Sequence, residues 1–426
     1  MKSKIVLGVI LVVLLAAAAF AAFWLWRPQV VTFDDGSKLT LISVQSGTHH
    51  TPPVINGVKH ARPITTTTNS LVVWLHEQYD SDEWRYFQFY AYDKANTACV
   101  GAEGVPNSNG KVNQVIGVVL DSFPRRQSQF VLRVQEQGNG GMEMADKGFT
   151  IHHAVGNYPA MAPATLPDTE EDQDLSVTLS KLATGANMPY TRDNDDPNDP
   201  MNKGIQATFQ VTRNGQAVTN WQPVAVETTD ATGNRVDGQI ANNTWQGNDD
   251  AVIYQFGLWS DEPAWKMRFE FSQQSNFAPE ELWNVPGIPI EPGKMNDFWN
   301  FFNRRSSQTN APFAESDLNG YHLKIYAARQ FTDMPPNSQP QGGLVIQVTP
   351  KLPNNMRLTI ARLTDDQTND ISFWENTQNF MRGSTLDQCQ LRQIDGATNL
   401  NLTIALHKSR FVEFTAKPDI AAPSDN

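Results

Sequence analysis

Only two cysteines, Cys99 and Cys389, occur among 426 residues. They stand far apart and read as members of different domains. A single bridge is open to them outside the cytoplasm, and two buried small hydrophobes are the other reading. No cysteine lies near the N-terminus, which excludes a lipid-anchored lipoprotein. Basic residues are also scarce: 33 Lys and Arg stand against 45 Asp and Glu, for a net charge of −12 and a pI near 5.1. Surfaces that bind nucleic acid or anionic membranes need clustered Lys and Arg to offset phosphate repulsion, so both partners are excluded and cations or basic partners remain. Segments of 3.6-residue periodicity are nearly absent after residue 27, which excludes a helical array. Local catalytic signatures are missing too. The chain has no G-x-S-x-G elbow, H-E-x-x-H, P-loop or G-x-G-x-x-G. A site assembled from distant residues needs no such motif, so these absences leave an activity unnamed rather than disproved.

What is present favours strands. The length suggests two to four domains, and 40% hydrophobic with 18% charged residues is a globular composition. Richness in Gly, Pro, Asn, Thr and Gln favours short strands and turns. The N-terminus stands apart: Lys2 and Lys4 precede an uncharged run from Ile5 to Trp26, closed by Arg27. As a helix this run spans roughly 33 Å, enough to cross a bilayer. Trp24 and Trp26 sit where an aromatic belt meets the headgroups, and the lysines orient the N-terminus inward. The expectation is a cytoplasmic stub at 1–4, a single-pass transmembrane helix at 5–26, and the bulk of the chain periplasmic or extracellular. The competing reading is a cleaved signal peptide, because Ala19-Phe20-Ala21 offers a small-x-small site.

The rest of the chain repeats. Strand-like runs KLTLISV (38–44), LSVTLSKL (175–182) and HLKIYAA (322–328) each lead to a second run, LVVWLHE, IQATFQVT or LVIQVTP. A third run follows, from Trp84, Trp221 or Met356 to Asp93, Asp230 or Asp365, and later a fourth: FVLRV, WKMRFEF or LNLTIAL. Four runs in one order, punctuated by turns, predict a mainly β chain: about three antiparallel β-sandwich units in tandem, immunoglobulin-like or fibronectin-like. The boundaries read as unit one at 30–156, a Pro/Ala-rich acidic linker at 157–172, unit two at 173–293, an aromatic connector at 294–318, unit three at 319–418 and a polar tail at 419–426.

Asp230 opens the turn DATGN, and its recurrence at Asp93 and Asp365 marks an Asx-type turn rather than a catalytic acid. Chemistry is expected where the units differ, in the loop after each first strand. In unit two that loop carries Asp193, Asp195, Asp196, Asn198 and Asp199, an oxygen-rich set suited to Ca²⁺, although Pro197 breaks the EF-hand pattern. A solvated acidic loop is the alternative. In unit one, His49, His50 and His60 are weaker metal candidates, because their spacing matches no standard ligand pattern. In the connector, Phe298, Trp299, Phe301 and Phe302 fall at helical spacing and predict packing on a neighbouring unit or on a partner. APEELW at 278–283 reads as a short helix with Pro279 in its first turn.

Three functions follow as expectations. The first is a membrane-anchored extracytoplasmic protein with a non-enzymatic binding or assembly role, acting through a protein partner or self-association. The second is a Ca²⁺-dependent carbohydrate-binding or adhesive protein, with glycan as partner and Ca²⁺ as the one cofactor suggested. The third is an extracytoplasmic hydrolase with a site between units.

Overall fold

The computed structural model describes residues 28–81, 85–92, 99–106, 110–138, 141–144, 148–187, 203–241, 250–254, 258, 259, 261–295, 311–333, 341–381, 384–392, 394 and 396–420. The predicted membrane segment lies outside them. Among the described residues no helix is long and apolar enough to cross a membrane. The chain is mainly β and forms several antiparallel sheets.

The first strand group contains β1 (Val30–Thr32), β2 (Lys38–His50), β3 (Ile64–Ser81), β4 (Arg85–Tyr92), β5 (Cys99–Pro106), β6 (Gly110–Leu120), β7 (Gln129–Gly138), β8 (Gly141–Met144) and β9 (Phe149–His152). One sheet runs β1-β2-β3-β6; the other runs β5-β4-β7-β8, with β9 also on β7. Strand β3 shows how sequence sets burial. Leu71, Val73 and Leu75 enter the main core, while Val72 and Trp74 on the opposite face form a second cluster. Ile55, Val58 and Ala61 of the loop between β2 and β3 cover that second face. Five successive buried apolar residues therefore mark a strand enclosed on both sides. Gly117 lies opposite Trp74 in the ladder, and a Cβ there would come within 2.6 Å of the indole ring, so only glycine leaves it room.

The second group is β10 (Asp168–Asp172), β11 (Leu175–Asn187), β12 (Lys203–Arg213), β13 (Gln216–Ala217), β14 (Trp221–Asp230), β15 (Arg235–Ala241), β16 (Asp250–Tyr254) and β17 (Trp265–Gln273). Strand β17 alternates buried Trp265, Met267, Phe269 and Phe271 with outward Lys266 and Arg268, the period-2 signature of a half-buried strand. The third group is β18 (Leu282–Gly293), β19 (Ala314–Leu318), β20 (Tyr321–Ile325), β21 (Ala328–Phe331), β22 (Gly342–Thr349), β23 (Met356–Asp365), β24 (Phe373–Met381), β25 (Ser384–Leu391) and β26 (Asn399–Lys408), followed by β27 (Arg410–Ala416) and β28 (Asp419–Ile420). The predicted helix at 278–283 is a single 3-10 turn, Pro279–Glu281, because strand β18 begins at Leu282. The Glu281 carboxylate closes that turn by accepting the Ala278 N–H at 3.0 Å.

The same pairing recurs in all three groups. The antiparallel trios β2·β3·β6, β11·β12·β16 and β20·β22·β25 correspond, as do the pairs β4·β7, β14·β17 and β23·β26. The groups differ in the strand on the far side of the last pair. In the first group it is β9, next in the chain after the β7·β8 hairpin. In the second it is β27, which arrives only after the whole third group. In the third it is β18, which precedes that group in the chain. The second and third groups have thus exchanged their closing strands. A parallel pairing completes each exchange: β28 with the end of β11, and Ile290 to Gly293 of β18 with β21.

Packing follows the exchange. Val412, Phe414 and Ala416 of β27 enter the core of the second group beside Phe209 and Phe269, whereas Val285 and Ile288 of β18 enter the separate third core. Residues 282–293, read from sequence as the end of unit two, therefore belong to the third set of sheets, and 410–416, read as part of unit three, belong to the second. Alternation shows that one face of a strand is buried and does not show which core buries it.

Candidate functional site

Two joints bring polar side chains of different groups together. At the first, the Asp230 carboxylate closes its own turn: Oδ1 accepts the backbone N–H of Thr232 at 2.8 Å and of Asn234 at 3.1 Å, and Oδ2 accepts the Asn234 side-chain amide at 2.8 Å. Gly233 takes φ +90° there, the left-handed region that glycine enters without a Cβ penalty. Asp365 builds the same turn in the third group, accepting the N–H groups of Gln367 at 2.8 Å and Asn369 at 2.7 Å and the Asn369 amide at 2.7 Å. Both aspartates are structural, as their recurrence indicates; Asp93 lies outside the described residues.

In the third turn, Thr368 occupies the glycine position at φ +71°. A β-branched residue is strained there, so Thr368→Gly is expected to stabilise the protein by about 1 kcal/mol. A thermal melt of the two proteins checks this, and an unchanged or lower melting temperature would contradict it.

The Asp230 turn also seats the loop between β6 and β7. Fully buried Asn234 accepts from Phe123 N–H at 3.1 Å and from Arg125 Nε at 2.8 Å, and donates to the Phe123 carbonyl at 3.0 Å. Arg125, itself buried, donates onward to the carbonyls of Asn69 and Asp121. Nearby, Arg126 pairs with buried Glu262 at 2.9 Å, and Gln127 donates to Asp261 at 2.7 Å. Burial pushes the Glu262 carboxyl up, and Arg126 only partly offsets that cost. Asn234→Ala leaves the Phe123 N–H and the Arg125 guanidinium short of an acceptor, so a loss of about 2 kcal/mol is expected, with faster hydrogen exchange in 121–128.

The second joint lies between the second and third groups. Arg357 of β23 grips Glu270 of β17 through two bonds, of 3.0 and 3.1 Å, and Ser409 donates to the same carboxylate at 2.6 Å. Beside them His407, 2% exposed, holds Nε2 at 3.0 Å from the Thr359 hydroxyl, with Phe277 at 4.9 Å between ring centroids. Burial drives the His407 pKa down to about 4, so the ring is neutral at pH 7.

His407 forms part of the wall of a cleft of about 730 Å³, to which β12, β14, β20, β23, β26, β27 and the 3-10 turn all contribute. On one side Asp174 bridges Arg213 at 2.5 Å and Arg410 at 3.5 Å. The Arg213 hydrogen bond holds the Asp174 carboxyl below its usual range. Arg410 lies over the ring of buried Trp221, 5.8 Å from its centroid. Three nitrogens in this wall are buried without a hydrogen-bond partner: Trp221 Nε1, Arg410 Nε and His407 Nδ1.

The residues singled out from sequence fare differently. Asp193, Asp195, Asp196, Asn198 and Asp199 lie outside the described residues, as do Phe298, Trp299, Phe301 and Phe302. His49 and His50 are neighbours on β2 with opposite fates. His49 is exposed with Nδ1 3.3 Å from the Thr65 hydroxyl, whereas His50 is buried beside its ladder partner Ile64. His60 is exposed in the loop that covers β3. Among the described residues no group of three or more His, Cys, Asp or Glu could hold a metal, so these histidines do not converge. Cys389 is fully buried in the third core.

The cleft residues carried no local signal, because Trp221 reads as an ordinary core residue and Arg213 and Arg410 as charges at strand ends. Compared with known proteins, the chain matches no family model and no curated sequence, so the reading of its function rests on its own residues.

Proposed function

We propose that the protein is a membrane-anchored, extracytoplasmic array of three immunoglobulin-like or fibronectin-like sandwich units with a non-enzymatic binding or assembly role. The exchange of β18 and β27 carries this reading: it ties two units through main-chain ladders and so supports a stiff scaffold rather than beads on a flexible string. The Asn234 and Glu270 joints add hydrogen-bonded contacts that resist rotation at each boundary. Residues 5–26 supply the anchor and fix the side of the membrane.

The test uses the full chain in cells, with both native cysteines replaced by alanine and one cysteine added at a time. Cysteine at Val54, 82% exposed, is expected to react with a membrane-impermeant maleimide on intact cells, whereas cysteine at Lys2 reacts only after lysis. Protection of the Val54 position until lysis would overturn the location, and a reproducible hydrolytic activity of the purified chain would overturn the non-enzymatic role.

A second reading, a Ca²⁺-dependent carbohydrate-binding or adhesive protein, draws support from the acidic residues at 193–199. Replacing Asp193 and Asp195 with Ala is expected to abolish Ca²⁺-dependent glycan retention. Retention unchanged in chelator would count against it.

A further inference from the structure

We infer that the cleft between the second and third strand groups is a binding site for a neutral, hydroxyl-rich ligand, a saccharide of about disaccharide size; this rests on the binding role proposed above. Three observations carry it. The volume of about 730 Å³ falls within the range of small-molecule sites. Trp221, 5% exposed, and His407, 2% exposed, both line the cleft, and each buries a ring nitrogen without a partner, as Arg410 buries its Nε.

Trp221 Nε1 and Arg410 Nε can only donate, and His407 Nδ1 carries the proton when Nε2 accepts from Thr359. A buried donor without an acceptor is costly, and ligand oxygens that displace the atoms covering these nitrogens would relieve that cost.

Charge selects the class of ligand. Arg213 and Arg410 are paired with Asp174 behind the lining, and Lys408 shares the lining with Glu280 and Glu281, so the site has no surplus cation for an acid. Glu281 is turned back onto its own backbone, which leaves exposed Glu280, with Asn276 and Asn355, to accept from ligand hydroxyls. Donors in the wall and acceptors at the rim suit a group that offers both, which a hydroxyl does and a carboxylate or ammonium does not. Tyr321 and Met356 add apolar surface for the C–H face of a sugar ring.

The experiment is calorimetric titration of the full chain, held in a non-glycosidic detergent, with maltose, cellobiose, lactose and chitobiose, and with glucuronate and citrate as anionic arms. At least one neutral disaccharide is expected to bind with a Kd below about 10 mM, unchanged by chelator. Glu280→Gln and Asn355→Ala, both at exposed positions, are expected to weaken binding about tenfold or more at an unchanged melting temperature. Binding of the anions alone, no neutral disaccharide binding, or full binding by both variants would overturn the inference. None of these outcomes touches the membrane placement, which the maleimide labelling decides separately.

Discussion

Phe414→Ala is expected to destabilise the second strand group by about 3 to 5 kcal/mol while leaving the third group close to its native stability. Phe414 is fully buried, and its ring lies 6.2 Å from Phe269 and 6.4 Å from Phe209 between centroids. In sequence it follows β26 closely, yet every core neighbour named here belongs to the second group. The cavity left by the ring therefore opens far from the strands that precede it in the chain. Hydrogen exchange of the full chain checks this: peptides from β11 to β17 should lose protection, and those from β20 to β26 should keep it. The reciprocal change is Ile288→Ala on β18, where the residue is fully buried in the third core. It should cost about 2 to 5 kcal/mol and deprotect β20 to β26 instead.

His407 should make the second joint acid-sensitive. Its folded pKa is about 4, against about 6.5 for an unperturbed imidazole. As pH falls below 6.5 the unfolded chain takes up a proton that the folded chain refuses until about pH 4. The stability contribution is therefore complete above pH 6.5 and lost progressively down to about pH 4, amounting to about 3 kcal/mol. The neighbouring charges oppose one another, with Arg357 holding the pKa down and Glu270 raising it, so burial dominates. Glu77 and Glu262 are raised by burial and act in the opposite sense, losing stability as pH rises through the acid range. Comparison with His407→Gln isolates the histidine, because glutamine can still meet the Thr359 hydroxyl but does not titrate. Denaturant unfolding of both proteins from pH 7 to pH 4 should show a stability slope flatter by about one proton in the variant. Equal slopes would place the sensitivity elsewhere.

The order of strands was legible in the sequence because period-2 alternation is a local property. Met267, Phe269 and Phe271 announce a half-buried strand without reference to any partner. The turn at Asp230 was legible for the same reason, since an aspartate with an asparagine four positions on can satisfy the turn backbone within one short segment. The partners of β18 and β27 were not legible. Val285 and Ile288 on one strand, and Val412 and Phe414 on the other, are apolar side chains that either core would accept by type. What separates the two cores is shape, and shape is not written in a hydrophobic pattern. The cleft was hidden for a related reason: Asp174, Arg213, Trp221, His407 and Arg410 are brought together by the returning strand, so no window of sequence contains them. Trp221 and Trp265 are both buried, as their places in strand-like runs suggest, but the unpaired ring nitrogen of Trp221 depends on neighbours that only the fold supplies.

The strand exchange is the claim on which the scaffold and the cleft both depend. It is tested most directly by placing a specific protease site within residues 296–310, cutting the purified full chain there, and passing the product through a sizing column without denaturant. The N-terminal piece would carry β18, which belongs to the third group, and the C-terminal piece would carry β27, which belongs to the second. The two pieces should elute together as one species and part only in denaturant. Separation under native conditions would contradict the exchange and return the chain to units that fold and stand independently.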